Sequence, residues 1–267
     1  LNYFVCAILL NSVGIVILKV QRNYGVDELE ASILEAFKDL PIAIVSFLVA
    51  FFLPRIGYKR AMLIGLGLVY IACIMMYFGN SFATAKLLFA TVGVSFALIK
   101  VSVYSLIGTV TENQQEHNSL MSSIEGVFMI GIALAYFLFP AFNSETNPDA
   151  WLNVYWLLAG ISGVSFAFLF LAKSENQVEV PGVNLLDDFK QMFQLMAKLL
   201  TIVFVISAFL FVMIEQGIMS WLPTFNSKVL HLPENISIMM ASILAISLAV
   251  GRLADNKKKK KINWIWI

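Results

Sequence analysis

The sequence predicts an all-α polytopic membrane protein, built from a six-helix N-terminal bundle and the first two helices of a second bundle. Hydrophobic residues make up 60% of the chain and charged residues 13%, whereas a soluble domain has about 45–50% apolar and about 25% charged residues. Eight apolar runs are each about long enough to cross a bilayer. The runs are continuously apolar rather than alternating, which favours helices over the strands of a membrane barrel.

The eight runs are the predicted membrane spans. They lie at residues 1–18, 33–53, 61–79, 84–107, 119–139, 151–172, 199–222 and 236–253. The first run lacks the basic start and the small-residue cleavage site of a signal peptide, so we expect it to be the first span.

The distribution of Lys and Arg predicts how the spans are oriented. Arg55, Lys59 and Arg60 follow the second span, further lysines occupy the connection 173–198, and a run of lysines begins at Lys257 after the eighth span. Short cytoplasmic connections carry the excess of Lys and Arg. We therefore expect an integral, multi-pass protein with its N-terminus and central linker in the cytoplasm. The membrane is expected to be a bacterial inner membrane.

The long polar connection 173–198 divides the chain. Its second half repeats apolar residues at helical spacing, from Leu185 to Met196, with charged and amide side chains between them, which is typical of a helix lying on the membrane surface. We expect a six-helix transmembrane bundle at 1–172 and a cytoplasmic linker with this amphipathic helix at 173–198. Residues 199–267 then form an incomplete second bundle of two helices and a Lys-rich tail.

Two short turns of related sequence lie at equivalent places in the span pattern. One follows the second span and the other closes the eighth. Their characteristic residues are Arg55, Gly57, Lys59 and Arg60 in the first turn, and Gly251, Arg252 and Asp255 in the second.

Both turns resemble the signature turn of the major facilitator superfamily, which runs Gly, three residues, Asp-Arg, one residue, Gly and then basic residues. Arg55, Gly57 and Lys59 match this signature in the first turn. Gly251 and Asp255 match it in the second. The resemblance implies twelve spans in two six-helix halves, and secondary active transport of a small solute by alternating access.

The resemblance also gives the turns a role. It implies that they brace helix ends and gate the change between inward-facing and outward-facing states, their cations meeting carboxylates or helix C-termini. The alternative is that these cations only anchor the cytoplasmic side. Anchoring alone would not require Gly57 or Gly251.

The end of the seventh span gives a finer resemblance. Glu215 lies within the span and is followed by the small residue Gly217 and then by Trp221, a sequence similar to that of the fucose-permease branch of sugar/proton symporters. The resemblance implies a sugar or a related metabolite as substrate and a proton as the coupling ion.

Ionisable residues inside the bilayer cost roughly 2.5–3.5 kcal/mol each on insertion scales, so each of them needs a reason. Lys100 in the fourth span and Glu125 in the fifth lie at similar depth on consecutive antiparallel helices, and an ion pair between them is feasible. Two interpretations stay open. The pair orients two helices, or Glu125 takes up a proton when Lys100 is displaced.

Further polar residues are candidates for substrate binding or proton coupling. Glu215 suits a proton carrier or a hydrogen bond to a hydroxylated substrate, with a hydrogen bond to a neighbouring backbone or Ser as the alternative. Asp39 is the deepest residue of a cluster with Glu35 and Lys38, and the Lys38 side chain is long enough to reach the membrane interface. Asn11 is a further candidate, with hydrogen bonding between helices as its alternative.

Several classes of function are not supported by the sequence. No basic, aromatic-interleaved groove indicates nucleic acid, and no constellation of catalytic residues indicates an enzyme. Cys6 and Cys73 fall in apolar runs, while His117 and His231 fall in polar connections, so neither a metal nor another cofactor is expected. The expected partners are a small-molecule substrate, a proton and the lipid bilayer.

The end of the chain gives a last expectation. The resemblance implies four more spans after the run of lysines from Lys257 to Lys261. We expect a C-terminally truncated carrier that does not complete a transport cycle alone. The alternative is a carrier-like membrane protein that does not transport, such as an assembly partner or a sensor.

Overall fold

Helices make up nearly all of the computed structural model, which describes residues 2–144, 146–172, 194 and 197–259. At residues 50, 51, 54, 55, 248, 249 and 251–259 it describes the backbone alone. No strand occurs among the described residues, so the prediction of an all-α membrane protein is confirmed. The predicted amphipathic helix in the linker and the end of the Lys-rich tail lie outside the described residues.

The predicted spans all fall on helices. These are α1 (Asn2–Asn11), α2 (Val13–Tyr24), α3 (Glu28–Ile56), α4 (Tyr58–Gly79), α5 (Phe82–Val110), α6 (Gln114–Ala141), a 3-10 turn (Ala150–Asn153), α7 (Val154–Leu171), α8 (Leu199–Lys228) and α9 (Glu234–Lys259). Within the described part of the chain, five helices are long and apolar enough to cross a membrane, and α1 with α2 would make a sixth.

Polar caps define where three of the long helices begin. The Asp27 carboxylate accepts from the backbone N–H of Glu30 at 2.7 Å and so begins α3. Ser81 opens α5 with a reciprocal capping box, and Asn113 caps α6. Each cap satisfies backbone donors that the first turn of a helix leaves unpaired, so these short polar connections set the ends of the spans.

The first predicted span is broken in the structure. Helices α1 and α2 meet at Ser12 with a bend of 44°, where the sequence pattern predicts one continuous helix. The Ser12 hydroxyl donates to the Leu9 carbonyl at 2.7 Å. Side-chain hydrogen bonds of this kind compete with the helical ladder and bend helices.

Small residues let the first six spans pack closely around α1. A Cβ added at Gly131 of α6 would lie 2.7 Å from the Ala7 Cβ of α1. A Cβ at Gly93 of α5 would overlap the Lys38 carbonyl of α3. Close helix contacts through small residues are the usual packing of membrane bundles. They enclose α1, whose residues from Val5 to Leu9 are fully buried.

Helices α8 and α9 meet the first six spans through α2 and α6. Helix α8 packs on α2 and α9, and α9 packs on α6. A Cβ added at Gly14 of α2 would lie 2.5 Å from the Ser220 carbonyl of α8. The start of α8 lies apart from these contacts, and Leu200 and Phe204 are 84% and 71% exposed.

The two turns with related sequences have different structures. Gly57 separates α3 from α4 with φ +86°, a conformation that favours glycine. Residues 251–255 instead continue α9, which runs to Lys259, so the prediction of a turn there is wrong. Lys258 occupies the position that corresponds to Gly57 in the signature, and without a glycine at that point the helix-forming residues extend α9.

Candidate functional site

A cavity of about 210 Å³ lies between the first six spans and the last two helices. Four predicted site residues line it: Asn11, Asp39, Lys100 and Glu215. The other lining residues are Leu10, Lys38, Ile42, Phe96, Phe128, Met129, Ile132, Gln216, Met219 and Ala245. The cavity is smaller than the roughly 300–1,000 Å³ of sites for drug-sized ligands, so it fits a small solute.

Lys38 lies inside the protein rather than extending to the membrane interface, which its side chain is long enough to reach. It is 4% exposed and lines the cavity. The reason is the close packing of α5 on α3 at Gly93, which covers this part of α3. The Lys38 ammonium forms an ion pair with the Asp39 carboxylate, with Nζ and Oδ1 3.4 Å apart.

Lys100 points its ammonium at aromatic rings. The Nζ atom lies 5.4 Å from the centre of the Phe96 ring and 5.6 Å from that of Tyr104, within the range of a cation–π interaction. Among the described residues, no ion pair involves Lys100. The structure therefore does not form the ion pair between Lys100 and Glu125 that the sequence made feasible.

Glu125 is held by tyrosine hydroxyls instead. Its Oε1 accepts hydrogen bonds from Tyr104 and from Tyr3, the latter at 3.3 Å. Tyr3 packs tightly against Phe128, with ring centres 4.8 Å apart. Tyr104 therefore separates the two predicted partners, because its ring faces Lys100 while its hydroxyl binds Glu125.

Tyr3 and Tyr104 are not among the site residues predicted from the sequence. Tyr104 follows Lys100 by four residues and so shares its helix face, which is a signal that could have identified it. No comparable signal points to Tyr3, because its contact with Glu125 joins residues 122 apart in the chain.

Asn11 and Glu215 reach the cavity from opposite segments of the chain. The Asn11 side-chain amide donates to the Ala7 carbonyl at 2.9 Å, within its own helix rather than to another. Glu215 lies beside Gln216 on α8, and both line the cavity. Glu215 also interacts with neighbouring groups.

A second polar cluster lies at the predicted external end. Glu234, in the first turn of α9, forms ion pairs with Lys19 and Arg22 of α2 and accepts a hydrogen bond from Asn143 at 3.2 Å. We call Lys19, Arg22, Asn143 and Glu234 the outer cluster. Its core is shielded from solvent, since the Lys19 and Glu234 side chains are 6% and 12% exposed. The outer cluster thus joins α9 to the first six spans.

The first turn contacts the end of α7. The Lys59 ammonium donates to the carbonyls of Phe170 and Ala172 at 2.9 and 2.6 Å. A cation is favourable at a helix C-terminus, where carbonyl groups lack partners. Lys59 thus contacts a helix C-terminus, whereas Arg60 is exposed. The side chains of Arg55, Gly251, Arg252 and Asp255 lie outside the described part.

Comparison with known proteins gives one family. The family model described as Major Facilitator Superfamily matches residues 1–267, which include α8, α9 and the connection before them. No curated protein matches the sequence. The superfamily agrees with the resemblance seen in the two turns, while the fucose-permease branch stays a prediction.

Proposed function

We propose that this chain, which belongs to the Major Facilitator Superfamily of secondary transporters, carries a sugar or a related small metabolite in symport with protons. The observation that supports this proposal is the cavity between the two segments of the chain, which gathers Asn11, Asp39, Lys100 and Glu215 at one place. Transporter sites lie at such interfaces, where a rocking motion of the two sides changes access.

The cavity supports binding of a hydroxylated solute. Asn11 and Gln216 offer amide groups, Asp39 and Glu215 offer carboxylates, and Phe96 offers an apolar ring. A small number of polar groups within an apolar wall is the usual composition of a small-molecule site. Because both segments contribute, a bound solute contacts the two sides that move during alternating access.

Glu125 and Tyr104 support proton coupling. In the present arrangement the Glu125 carboxyl group is held by two tyrosine hydroxyls and Lys100 is displaced from it by the Tyr104 ring. Rotation of Tyr104 would allow Lys100 and Glu125 to pair. We propose that Glu125 takes up a proton in the separated state and releases it when Lys100 approaches.

Alternating access needs contacts that close one end of the cavity at a time. The outer cluster and the ion pair between Lys228 and Glu28, at 2.7 Å, close the predicted external end. We propose that they open when the carrier faces outward. At the cytoplasmic end, we propose that the turn with Gly57 and Lys59 has the corresponding gating role.

The proposed orientation follows the positive charges. Residues 1–172 form the first bundle, with the N-terminus in the cytoplasm, and residues 173–198 form the cytoplasmic linker before a second bundle. The membrane is proposed to be a bacterial inner membrane. An assembly partner or a sensor is not favoured, because the chain belongs to a superfamily of secondary transporters.

Uptake by proteoliposomes tests the proposal. The purified chain is reconstituted, and uptake of labelled hexoses is measured with and without an inward proton gradient. Gradient-driven accumulation of at least one hexose is the result that supports the proposed function, and it would overturn the expectation that this chain does not complete a transport cycle alone. Glu125→Gln should keep exchange without a gradient and lose accumulation, whereas Glu116→Gln, an exposed carboxylate on the same helix, should behave like the unmodified chain. Accumulation by Glu125→Gln equal to that of the unmodified chain would refute the coupling role.

A further inference from the structure

We propose that Ser220 and Thr224 of α8 bind hydroxyl groups of the solute when the external end of the carrier opens. The two side chains extend the binding surface of the cavity toward the predicted external end, along a surface that α2 covers in this structure. The inference deepens the proposed function, on which it rests, by naming solute-binding residues outside the cavity lining.

Two buried hydroxyl groups on α8 have no hydrogen-bond partner among the described residues. Ser220 is 2% exposed and Thr224 is 4% exposed, and both hydroxyl oxygens are unpartnered. Ser95 of α5, which is also buried, instead donates to the Thr91 carbonyl of its own helix at 2.7 Å. A buried polar group without a partner destabilises the state that contains it. A partner in another state of the carrier accounts for the two hydroxyl groups.

Both hydroxyl groups lie on a face of α8 that continues from the cavity. Gln216, which lines the cavity, precedes Ser220 by four residues, and Thr224 follows Ser220 by four. Residues four apart share one face of a helix, about 6 Å from each other along its axis. The three side chains therefore form a polar line that runs from the cavity toward the predicted external end.

Helix α2 covers this polar line. A Cβ added at Gly14 of α2 would lie 2.5 Å from the Ser220 carbonyl and 3.0 Å from the Met219 carbonyl. Gln21 follows Gly14 by about two helical turns and so lies on the same face of α2. Its side-chain oxygen and nitrogen are also buried without partners in the described part of the chain. The contact between α2 and α8 thus leaves polar groups unpaired on both helices, and its opening exposes them.

Pro223 adds an acceptor to the same surface. It lies within α8, and proline has no N–H with which to bond the carbonyl four residues earlier. That carbonyl belongs to Met219, which lines the cavity. The hydroxyl groups of Ser220 and Thr224 donate and accept, and the carbonyl accepts. Together they match the hydroxyl groups of a sugar, which also donate and accept.

Sugar binding to the purified full chain tests the inference. D-glucose, D-galactose and L-fucose are titrated calorimetrically, and the sugar that binds most tightly is used for the variants. Ser220→Ala and Thr224→Val each remove one hydroxyl group and keep most of the side-chain shape. Together they should weaken sugar binding roughly 5- to 100-fold, the contribution of two hydrogen bonds.

The midpoint of thermal unfolding in detergent shows whether the hydroxyl groups hold the fold. The double variant Ser220→Ala/Thr224→Val should keep the midpoint or raise it, because these hydroxyl groups have no partner to lose. Ser95→Ala is the matched control for binding. Its hydroxyl is also buried but has a carbonyl partner and does not line the cavity, so sugar binding should stay unchanged.

Monodeoxy derivatives of the same sugar separate a direct contact from a change in how readily the protein opens. If Thr224 binds one hydroxyl group of the sugar, the derivative without that group should lose this contact already. Its affinities for Thr224→Val and for the unmodified chain should then differ by less than about twofold. A change in opening alone would weaken the binding of every derivative by the same factor.

The outcomes separate this inference from the proposed function. Equal sugar binding by the double variant and the unmodified chain would overturn the inference and leave a hexose carrier in place. An equal loss for the sugar and all its derivatives would do the same. A double variant that unfolds at a lower temperature or does not fold would also overturn it, because the hydroxyl groups would then hold the fold. No binding of any of the three sugars to the unmodified chain would instead count against the proposed function.

Discussion

Glu234→Gln tests whether the outer cluster holds the external end closed. The substitution keeps the side-chain volume and the hydrogen-bonding capacity toward Asn143 but removes the charge that faces Lys19 and Arg22. Removing one partner from a buried ion pair costs about 3–5 kcal/mol, and the Lys19 and Glu234 side chains are 6% and 12% exposed. The pair with Arg22 adds little, because Arg22 is 64% exposed and solvent screens it.

The expected effect on the closed state is therefore about 3 kcal/mol, the lower end of that range, since Gln still reaches Asn143. At about 1.4 kcal/mol for each factor of ten, the open population should rise roughly 100-fold. Both cations that Glu234 meets belong to α2, so most of the loss should act on the closed state. The N-terminus of α9, which also favours a negative charge, should contribute only about 0.3–1 kcal/mol.

A single reporter cysteine measures the opening. Ser220 is 2% exposed, and its carbonyl lies 2.5 Å from the position of a Cβ at Gly14, so it is covered while α2 and α8 stay together. Ser220→Cys is introduced after Cys6 and Cys73 are replaced by Ala. A membrane-impermeant maleimide is then added on one side of the membrane and, in a second experiment, on the other. The rate of alkylation reports the population of the open state, and the side from which the cysteine reacts reports the orientation of the chain.

Glu234→Gln should raise the alkylation rate by up to 100-fold from the external side. Lys228→Met is the control, because its ion pair with Glu28 lies at the same end but is 46% and 62% exposed and should contribute less than about 1 kcal/mol. An unchanged rate in a Glu234→Gln protein with normal helicity would refute the reasoning, as would an equal rise in the Lys228→Met control.

Three further substitutions test the packing, the turn and the coupling. Gly14→Val should overpack the contact with Ser220 and lower stability by about 1–3 kcal/mol, seen as a lower midpoint of thermal unfolding in detergent. Lys59→Met should cost about 1 kcal/mol in the same assay, because the end of α7 loses its cation. Tyr104→Phe keeps the ring beside Lys100 but removes a hydroxyl from Glu125, and should reduce gradient-driven uptake about tenfold while exchange without a gradient persists.

Each of these substitutions has a matched control. Gly160→Val places a side chain where nothing lies within 4 Å, and it should leave the midpoint unchanged. Arg60→Met removes the exposed cation next to Lys59 and is the control for Lys59→Met. Tyr70→Phe removes the hydroxyl of a tyrosine on α4 that is 40% exposed, and it is the control for Tyr104→Phe. If a control substitution lowers the unfolding midpoint or the gradient-driven uptake as much as its test substitution does, the assigned contact is not the cause of the effect.

Charges inside apolar runs made much of the cavity predictable. A charge in the bilayer is costly, so Lys100 and Glu215 stood out from the apolar runs around them. Continuous apolar runs of this length form membrane helices. A charged residue on such a helix is expected to face the interior of the bundle rather than lipid. The structure brings both residues to one cavity, together with Asp39 and Asn11. The direction of the Lys38 side chain was not predictable, because it depends on how closely α5 packs on α3.

The outer cluster was not predictable from local sequence. In the sequence, Lys19 and Arg22 look like ordinary basic residues of a polar connection. Glu234 looks like an ordinary acidic residue in the first turn of a helix. Their pairing joins residues more than two hundred positions apart and depends on how α9 packs on α6 and α8 packs on α2. The bend at Ser12 was equally hidden, since an apolar run gives no signal for a hydrogen bond from Ser12 to Leu9.

The contact of Lys59 with the end of α7 has a mechanical consequence. Helix α7 ends at Leu171, and the Lys59 ammonium binds the carbonyl of the next residue, Ala172, with Nζ and the oxygen 2.6 Å apart. Lys59 lies in the first turn of α4, two residues after Gly57. A tilt of α4 about the joint at Gly57 therefore either carries the end of α7 with it or breaks the two hydrogen bonds that Lys59 donates.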